Sequence, residues 1–356
     1  MSTRILQIVP RLPPHNDGVG DYALRLATQL RKDHKIDTHF LAFHQGSELE
    51  KTIEDFAATS LPAHDCKTFM SVLPPDIDHI LLQYSNYPYL SSKLKAPFWL
   101  PDALQSAIEE RQLGLTVMFH ELPWLKWKKI RILNPIQCLV SRRLGRIANT
   151  VITNNWQSRK ILEDWLGRPV QCLPVFSTIG ESDHSLTLKE RKRQLVIFGS
   201  TDRDRVYRHS LSQIRQLCHE YCIETLCDVG QPLGLRQRYD FNGIDLVEMG
   251  FQPAEAVRQI LSESLFSCVD YSHFPGNLAK SSVFAATCAH GAVPLLTKYD
   301  PSEADGLILD HNYLLIASNM RGRDFSDLQL VADHSYQWYL AHNLSETTKR
   351  FLSFFM

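Results

Sequence analysis

Short apolar runs alternate with amphipathic stretches along this chain of 356 residues. In the first half the apolar runs include RILQIV, DTHFLAF, DHILLQYS, LTVMFHEL and TVITNN, and helical patterns such as DYALRLATQL and WQSRKILEDWL lie between them. Continuous apolar runs separated by helices are typical of parallel strands that are covered on both faces. The pattern therefore predicts an α/β fold with a doubly wound parallel sheet.

The same alternation begins again after a polar stretch over residues 180–194, with the apolar runs LVIFGS, IETLCDVG, IDLVEMGF, LFSCVDY and AVPLL. Polar stretches of this kind are common at domain boundaries. The sequence predicts two tandem doubly wound, Rossmann-like domains over residues 1–175 and 176–333. A C-terminal helix over 334–356 is expected to pack back on the first domain.

Composition and charge exclude several classes of protein. With 44% hydrophobic and 22% charged residues and a formal net charge of -1, the chain has the make-up of a soluble globular protein with no overall field that selects nucleic acid. The apolar runs are shorter than a membrane span, and residues 1–10 lack the apolar core of a signal peptide, so we expect a cytoplasmic location. The eight cysteines include no C-x-x-C pair and are expected to be buried free thiols.

A glycine motif lies at the N-terminus of the first predicted helix, where the sequence from Gly18 to Ala23 reads G-x-G-x-x-A. Glycines before a helix N-terminus favour anion binding, but they also serve a loop and a helix cap. The motif matches a dinucleotide fingerprint as well, which would make the chain a nicotinamide-dependent dehydrogenase. The long loop after Pro10 and the lack of an acid at the end of the second strand count against that alternative.

Seven segments, taken in order, resemble the GT-B glycosyltransferases and in particular their large retaining family 4. They are PHNDGVGDYALRLATQL, VMFHELPW, ANTVITNNWQSRKIL, LPVFSTIGE, LVIFGS, VEMGFQPAEAVRQIL and HGAVPLL. The resemblance implies a GT-B architecture, with the active site in a cleft that the two domains face. It also implies a nucleotide-diphosphate sugar as co-substrate, no other cofactor and no metal. The expected reaction transfers a hexosyl group with retention to a saccharide or lipid-linked acceptor in polysaccharide or glycolipid synthesis.

The resemblance assigns His120 and Glu121, at the end of an apolar strand, to the catalytic centre. His120 would lie beside the donor sugar and orient the acceptor hydroxyl, and Glu121 would be a second polar contact. A histidine in this position can also be a buried structural residue with its hydrogen bonds satisfied.

The resemblance also implies contacts to the donor. The residues at these positions are Gly18, Gly20, Gly199, Ser200, Arg203, Arg205, Gly250 and Phe251, although the arginines do not have the family's usual spacing. Arg208 accompanies the two arginines, and the sequence leaves open which of the three meets phosphate and whether they form only a solvated basic turn. Phe251 is equally compatible with the hydrophobic core.

The chain departs from the family where two glutamates are usual, because Leu278 and Ala286 occupy those positions. Lys280, Ser281 and Ser282 open the following helix, where an ammonium group, two hydroxyls and helix-end amides would suit a diphosphate. An ordinary serine cap is the alternative. The missing carboxylates also favour a second function, that of a non-catalytic glycosyltransferase-like binding protein or complex subunit.

Residues 122–162 contain no aspartate or glutamate but nine lysines and arginines. We expect a long helical region over 126–148, kinked or split at Pro135. Basic residues mixed with tryptophans suit an anionic membrane surface, and a solvated helix face, a partner contact or a nucleic-acid patch are the alternatives. The predicted membrane patch comprises Trp124, Lys126, Trp127, Lys128, Lys129 and Arg131. With the fold taken into account, we expect no nucleic-acid partner.

Overall fold

The computed structural model describes residues 3–15, 17–43, 52–86, 89, 96–127, 130–182, 186–316 and 322–355, with the backbone alone for 125–127, 130–132 and 201. The chain divides into two compact units. The first comprises Met1–Leu173 and Leu344–Met356, and the second comprises Pro174–Asn343.

The first unit alternates strands and helices, as its apolar runs predict. Its elements before the interruption by the second unit are β1 Arg4–Val9, α1 Gly18–His34, β2 Asp37–Ala42, β3 Thr52–Ile53, β4 Phe56–Ser60, α2 Cys66–Val72, β5 His79–Ser85, α3 Trp99–Arg111, β6 Gly114–Glu121, β7 Trp124–Trp127, β8 Ile130–Leu133, α4 Pro135–Ile147, β9 Thr150–Thr153, α5 Trp156–Leu166 and β10 Gln171–Cys172.

Eight strands of this unit form one sheet in the order β10-β9-β6-β5-β1-β2-β4-β3. The pairs are parallel except β3 with β4. The chain leaves β1 to build β2 and β4 on one side and then crosses to β5 and β6 on the other. The change of direction at β1 and β5 is the switch point of this sheet, and α/β sheets usually bind ligands at the carboxyl ends of the strands there.

The predicted helix over 126–148 is wrong in its first part. Strands β7 and β8 form an antiparallel pair there, with Trp124 opposite Leu133. Trp, Leu and Ile residues in this stretch favour strands. Helix α4 begins only at Pro135, which occupies its first turn, and Asn134 caps it by accepting hydrogen bonds from the Ile136 and Gln137 amides.

The second unit repeats the alternation. Its helices and strands are β11 Lys192–Phe198, α6 Asp204–Glu220, β12 Thr225–Val229, α7 Leu235–Arg238, β13 Asp245–Gly250, α8 Ala254–Glu263, β14 Ser264–Val269, α9 Ser282–Ala289, β15 Val293–Leu296, β16 Leu314–Leu315 and α10 Phe325–Leu340.

Six parallel strands of the second unit form a sheet in the order β13-β12-β11-β14-β15-β16. The chain builds β12 and β13 on one side of β11 and then crosses to β14 on the other. The carboxyl ends of β11 and β14 therefore mark the switch point of this sheet, which is the usual place for a ligand.

The C-terminal segment differs from the predicted helix over 334–356. It forms the end of α10 and a separate helix α11 Leu344–Phe355. Helix α10 belongs to the second unit, where Tyr339 donates from its hydroxyl to Glu181 and accepts from the Ser177 amide. Only α11 belongs to the first unit, where the ring of Phe355 lies 5.0 Å from that of His79.

All eight cysteines are free thiols, as expected. Five are buried, Cys66 and Cys172 are partly buried, and Cys222 is exposed. Among the described residues, no helix combines the length and the apolar character that crossing a bilayer requires.

Candidate functional site

A pocket of about 170 Å³ opens at the switch point of the second unit. The loops after β11 and β14 and the start of α9 surround it. Its lining residues are Phe198, Ser200, Asp202, Arg203, Arg205, Val206, Cys268, Val269, Asp270, Tyr271, His273, Phe274, Ser281 and Val283. The sequence analysis placed Ser200, Arg203, Arg205 and Ser281 at the donor site, and the structure brings these four together.

Two glycines shape one side of this pocket. Gly199 follows β11 with φ +120°, and its amide donates to the Val229 carbonyl over 3.1 Å. A Cβ atom on Gly230, which has φ +141°, would lie 2.4 Å from the Gly199 carbonyl oxygen and 2.8 Å from Arg203 Nη1. Both positions therefore require glycine, and they hold the turn after β11 close to the turn after β12.

Arg203 is buried beneath this turn, with a side-chain exposure of 3%. Its Nε and Nη2 atoms donate to the Asp228 carboxylate over 2.7–3.1 Å. Nη1 donates to the carbonyls of Gly199 and Ser200, and Nη2 also donates to Gln231. All five N–H donors of the guanidinium thus have acceptors within the protein. The prediction that Arg203 contacts the diphosphate does not fit this arrangement, in which Arg203 supports the loop.

Arg205 instead faces the pocket. Its Nη2 donates to the Ser272 hydroxyl over 2.9 Å, and its Nε lies 3.5 Å from Oδ1 of Asp270. Burial alone would raise the pKa of Asp270, but the hydrogen bonds from Ser272, the nearby Thr297 hydroxyl and the Arg205 guanidinium hold it below the usual value. Arg205 is therefore a cation at the pocket wall with an ionised carboxylate behind it.

The segment before α9 differs in detail from the prediction. Lys280 ends a short 3-10 turn, Leu278–Lys280, and does not open the helix. Its Nζ lies 4.5 Å above the centre of the Phe274 ring. Ser281 is the N-cap of α9 and accepts a hydrogen bond from the Phe284 amide over 3.1 Å. Ser282 is the first residue of the helix.

Leu278 and Ala286, which replace the two glutamates of the resembled family, are buried at 0% and 1% exposure. The buried carboxylate next to this pocket belongs to Asp270 instead.

Asp202 and Asp204 form a D-x-D pattern that the sequence analysis overlooked. Asp204 is bound to Arg208 and Arg238, so the two carboxylates do not act as a pair.

The end of β13 carries the predicted base-binding residues. Gly250 has φ +67°, and its carbonyl accepts from the Gly230 amide over 3.0 Å. Phe251 is 65% exposed and is not part of the core, so its ring is accessible for stacking.

In the first unit, His120 lies at the carboxyl end of β6 and is buried. Its Nε2 is 2.7 Å from Oε1 of Gln83, and Nε2 of Gln83 donates to Oε1 of Gln7 over 3.0 Å. With Gln83 in this orientation, Nε2 of His120 is the donor to Oε1 of Gln83. The ring of Tyr22 on α1 contacts His120 edge-on at 5.0 Å.

Helix α1 covers the hydrogen-bonded residues Gln7, Gln83 and His120. Asp17 caps this helix by accepting hydrogen bonds from the Val19 and Gly20 amides. A Cβ atom on Gly20 would lie 2.1 Å from the Arg11 carbonyl oxygen, whereas one on Gly18 would have nothing within 4 Å. In the first turn, burial and the neighbouring Asp17 raise the pKa of Asp21 to about 6.

Glu121 is the last residue of β6 and is partly buried. It pairs with Ser85 after an irregularity in the strand register.

Only part of the predicted membrane patch can be placed. Lys128 and Lys129 lie outside the described residues, as do the side chains of Lys126, Trp127 and Arg131. The side chain of Trp124 is partly buried and packs against the hydrophobic core. It does not form an exposed anchor.

An exposed apolar surface lies instead on α4. Ile136 and Leu139 are each 54% exposed and border an open groove of about 430 Å³. Arg142 and Trp165 complete the groove, with the guanidinium carbon 5.0 Å from the Trp165 ring centre. The remaining lining residues are Leu133, Pro135 and Cys138, so no acidic side chain lines this groove.

Comparison with known proteins relates the chain to solved structures. No protein-family model matches it, and no curated protein sequence matches it. Alr3699/HepE from Anabaena, solved in complex with UDP and glucose, superposes with a TM-score of 0.66 at 12% identity, over 99% of each chain. An α-glucosyltransferase solved with UDP and a 13-mer DNA gives 0.59 at 10% identity over 100% of each chain.

The α,α-trehalose 6-phosphate synthase of Burkholderia multivorans gives a TM-score of 0.60 at 11% identity, over 100% of this chain and 98% of that one. These proteins are GT-B glycosyltransferases. The chain therefore has the GT-B fold, and the resemblance noted from its sequence is confirmed at the level of the fold.

Proposed function

We propose that this protein is a glycosyltransferase that uses a UDP-sugar as donor. The observation that carries the proposal is the pocket at the switch point of the second unit, where Arg205 faces a space bordered by the Gly199 turn and the start of α9. A guanidinium group and helix-end amides bind phosphate oxygens. Support for uridine as the base comes from the similar structures that were solved with UDP.

The reaction that we propose is transfer of a hexosyl group with retention and without a metal. The bond from the anomeric carbon to the diphosphate oxygen breaks, a bond to the acceptor hydroxyl oxygen forms, and the hydroxyl proton passes to the departing diphosphate. Cationic groups that stabilise the departing diphosphate lower the barrier. Arg205 and Lys280 are assigned to that role.

His120 is assigned to orienting the acceptor, because it lies at the carboxyl end of β6 and Gln83 holds its ring through Nε2. Glu121 stays a candidate for a second polar contact at the end of the same strand.

For the acceptor we propose a saccharide or a lipid-linked saccharide, in polysaccharide or glycolipid synthesis. The groove beside Ile136 and Leu139 supports contact of α4 with an anionic membrane, since Arg142 is the charged residue of its lining. One similar structure was solved with DNA. The formal charge of -1 on this chain gives no overall attraction to a polyanion, so we do not propose a nucleic-acid acceptor.

The experiment is a thermal-stability screen with UDP, GDP, ADP and the corresponding glucose derivatives, followed by product detection with the donor that binds. A ligand present at 100 times its Kd stabilises a protein by about 2.7 kcal/mol, which such a screen resolves. We expect UDP to raise the melting temperature and EDTA to leave turnover unchanged. Failure of every nucleotide to bind would overturn the proposal.

The burial of Leu278 and Ala286 favours a second candidate, a binding protein that holds the nucleotide sugar without transferring it. The two candidates differ in turnover. A protein that binds UDP-glucose but neither transfers nor hydrolyses glucose with any acceptor offered would be the binding protein.

A further inference from the structure

Hydrogen bonds connect the side chains of Arg205, Ser272 and Asp270 at the pocket of the second unit. The Asp270 side chain has 0% exposure, and its Oδ1 accepts from the Ser272 amide over 3.0 Å and from the Ser272 hydroxyl over 2.7 Å. The same hydroxyl accepts from Arg205 Nη2 over 2.9 Å. Because the serine proton points to the carboxylate, the serine oxygen faces the guanidinium, and the carboxylate fixes both groups.

The other two arginines of this segment are engaged elsewhere. Every donor of Arg203 is satisfied beside Asp228, as described above. Arg208 pairs with Asp204 on the same helix and has a side-chain exposure of 58%. Arg205, with 17% exposure, has its described hydrogen bond on Nη2 alone. Its Nε is buried beside Asp270, so the Nη groups are the part of this guanidinium that can meet a ligand in the pocket.

An arginine side chain loses much conformational freedom when it binds an anion. A guanidinium that is already held by a buried partner loses less, so its contact with the ligand is stronger. The carboxylate has a second, opposing effect, because its negative charge repels a phosphate. The two effects predict opposite results when the charge of Asp270 is removed.

We propose that Asp270 and Ser272 are positioning residues that hold Arg205 toward the donor diphosphate, so that Arg205 is the phosphate-binding arginine of this segment. This inference rests on the proposed function, since the ligand is the diphosphate of the donor. The Asp270 side chain is buried at 0% exposure, so in this arrangement the carboxylate contacts the arginine and the serine and not the ligand.

The test measures the affinities of UDP and uridine by calorimetry for the wild type, Asp270→Asn, Ser272→Ala, Arg205→Ala and Asp270→Asn/Arg205→Ala. Arg208→Ala is the matched control, because it removes a neighbouring arginine of α6 that is bound elsewhere. We expect Asp270→Asn and Ser272→Ala to weaken UDP binding by about tenfold, as for one hydrogen bond to a charged group, and to leave uridine binding unchanged.

The double variant separates positioning from general disruption. If Asp270 acts through Arg205, Asp270→Asn has no further effect on UDP affinity once Arg205 is alanine. A ligand-free measurement adds to this, using the ¹⁵N signal of the Arg205 side chain. We expect a distinct, slowly exchanging Nε–H in the wild type and an averaged signal in both single variants. If Asp270→Asn fails to fold, Ser272→Ala supplies both the affinity and the signal.

The possible failures are distinguishable. If the wild type binds UDP and Asp270→Asn binds it equally well or more tightly, the positioning inference is overturned and the proposed function stands. Equal losses with UDP and uridine would also overturn it, since they indicate structural damage. If the wild type binds no UDP, the proposed function is overturned and this inference with it.

Discussion

Arg203 and Asp228 form a buried ion pair in the second unit, with side-chain exposures of 3% and 1%. The Tyr207 hydroxyl donates to the same carboxylate over 2.8 Å. Only Asp204 separates Arg203 from Arg205 along the chain, but the partners of the two arginines differ. Both arginines border the pocket, but Arg203 uses its donors to hold the turn after β11, whereas Arg205 faces the space of the pocket.

Asp228→Ala should therefore lower the free energy of unfolding by about 3 kcal/mol or more, because it leaves a buried guanidinium without its counter-charge. Urea denaturation followed by circular dichroism measures this. Arg208→Ala is the matched comparison and should cost far less, since the Arg208 side chain is 58% exposed. Similar losses in the two variants would contradict the structural role of the buried Arg203–Asp228 pair.

His120→Ala should reduce glycosyl transfer by at least about 10²-fold, which is typical for loss of a group that handles a proton. The affinity for UDP should change little. Initial rates and calorimetry measure the two quantities, and the exposed His219 on α6 provides the control variant His219→Ala. Wild-type activity in His120→Ala would remove this histidine from the mechanism.

Binding to vesicles that contain phosphatidylglycerol should require the surface of α4. We expect Ile136→Ser/Leu139→Ser and Arg142→Glu/Arg146→Glu to reduce co-sedimentation, since each basic residue near an anionic surface contributes about 1 kcal/mol. Binding should also weaken as salt rises, because the Debye length is about 8 Å at physiological ionic strength.

The control for this experiment is Arg236→Glu, which changes an exposed arginine of the second unit. A further variant tests the patch predicted from sequence, with Lys126, Lys128, Lys129 and Arg131 changed to glutamate. If this variant loses vesicle binding while the α4 variants keep it, the surface was placed on the wrong element. Absence of wild-type binding at low salt would reject the membrane contact.

Burial lowers the pKa of His79 from 6.5 to about 4 in the folded protein. The folded state prefers the neutral ring, so the contribution to stability is present above pH 6.5 and is lost as the pH falls towards 4. The shift corresponds to at most about 3 kcal/mol. His79→Gln should flatten the fall of the melting temperature between pH 7 and 4.5 relative to the wild type. An unchanged pH profile would contradict this.

Much of the fold could be predicted because buried parallel strands leave continuous apolar runs that are visible in the sequence. The segment WLKWKKIRIL was misassigned because its apolar spacing suits a helix as well as two short strands. Pro135 gave the correct break but not the structure before it. The start of α9 was displaced because Ser281, and not Lys280, provides the cap.

The candidate site was less predictable, because it depends on partners that are distant in sequence. Arg203 and Arg205 look alike in TDRDRVYRH, and only Asp228 and Asp270 distinguish them. No local pattern shows which carboxylate lies beneath which arginine. The row of Gln7, Gln83 and His120 likewise depends on strand order, which places β1, β5 and β6 side by side.

The two glycines at the mouth of α1 should behave very differently in a saturation library. At position 20 every side chain collides with the Arg11 carbonyl, so selection for folding alone should recover glycine. At position 18 the surrounding space is open, and alanine should be enriched in a screen for stability, by about 0.4–1 kcal/mol. Depletion of alanine at position 18 in a screen for activity would then indicate that a substrate approaches this residue, because the fold itself does not require glycine there.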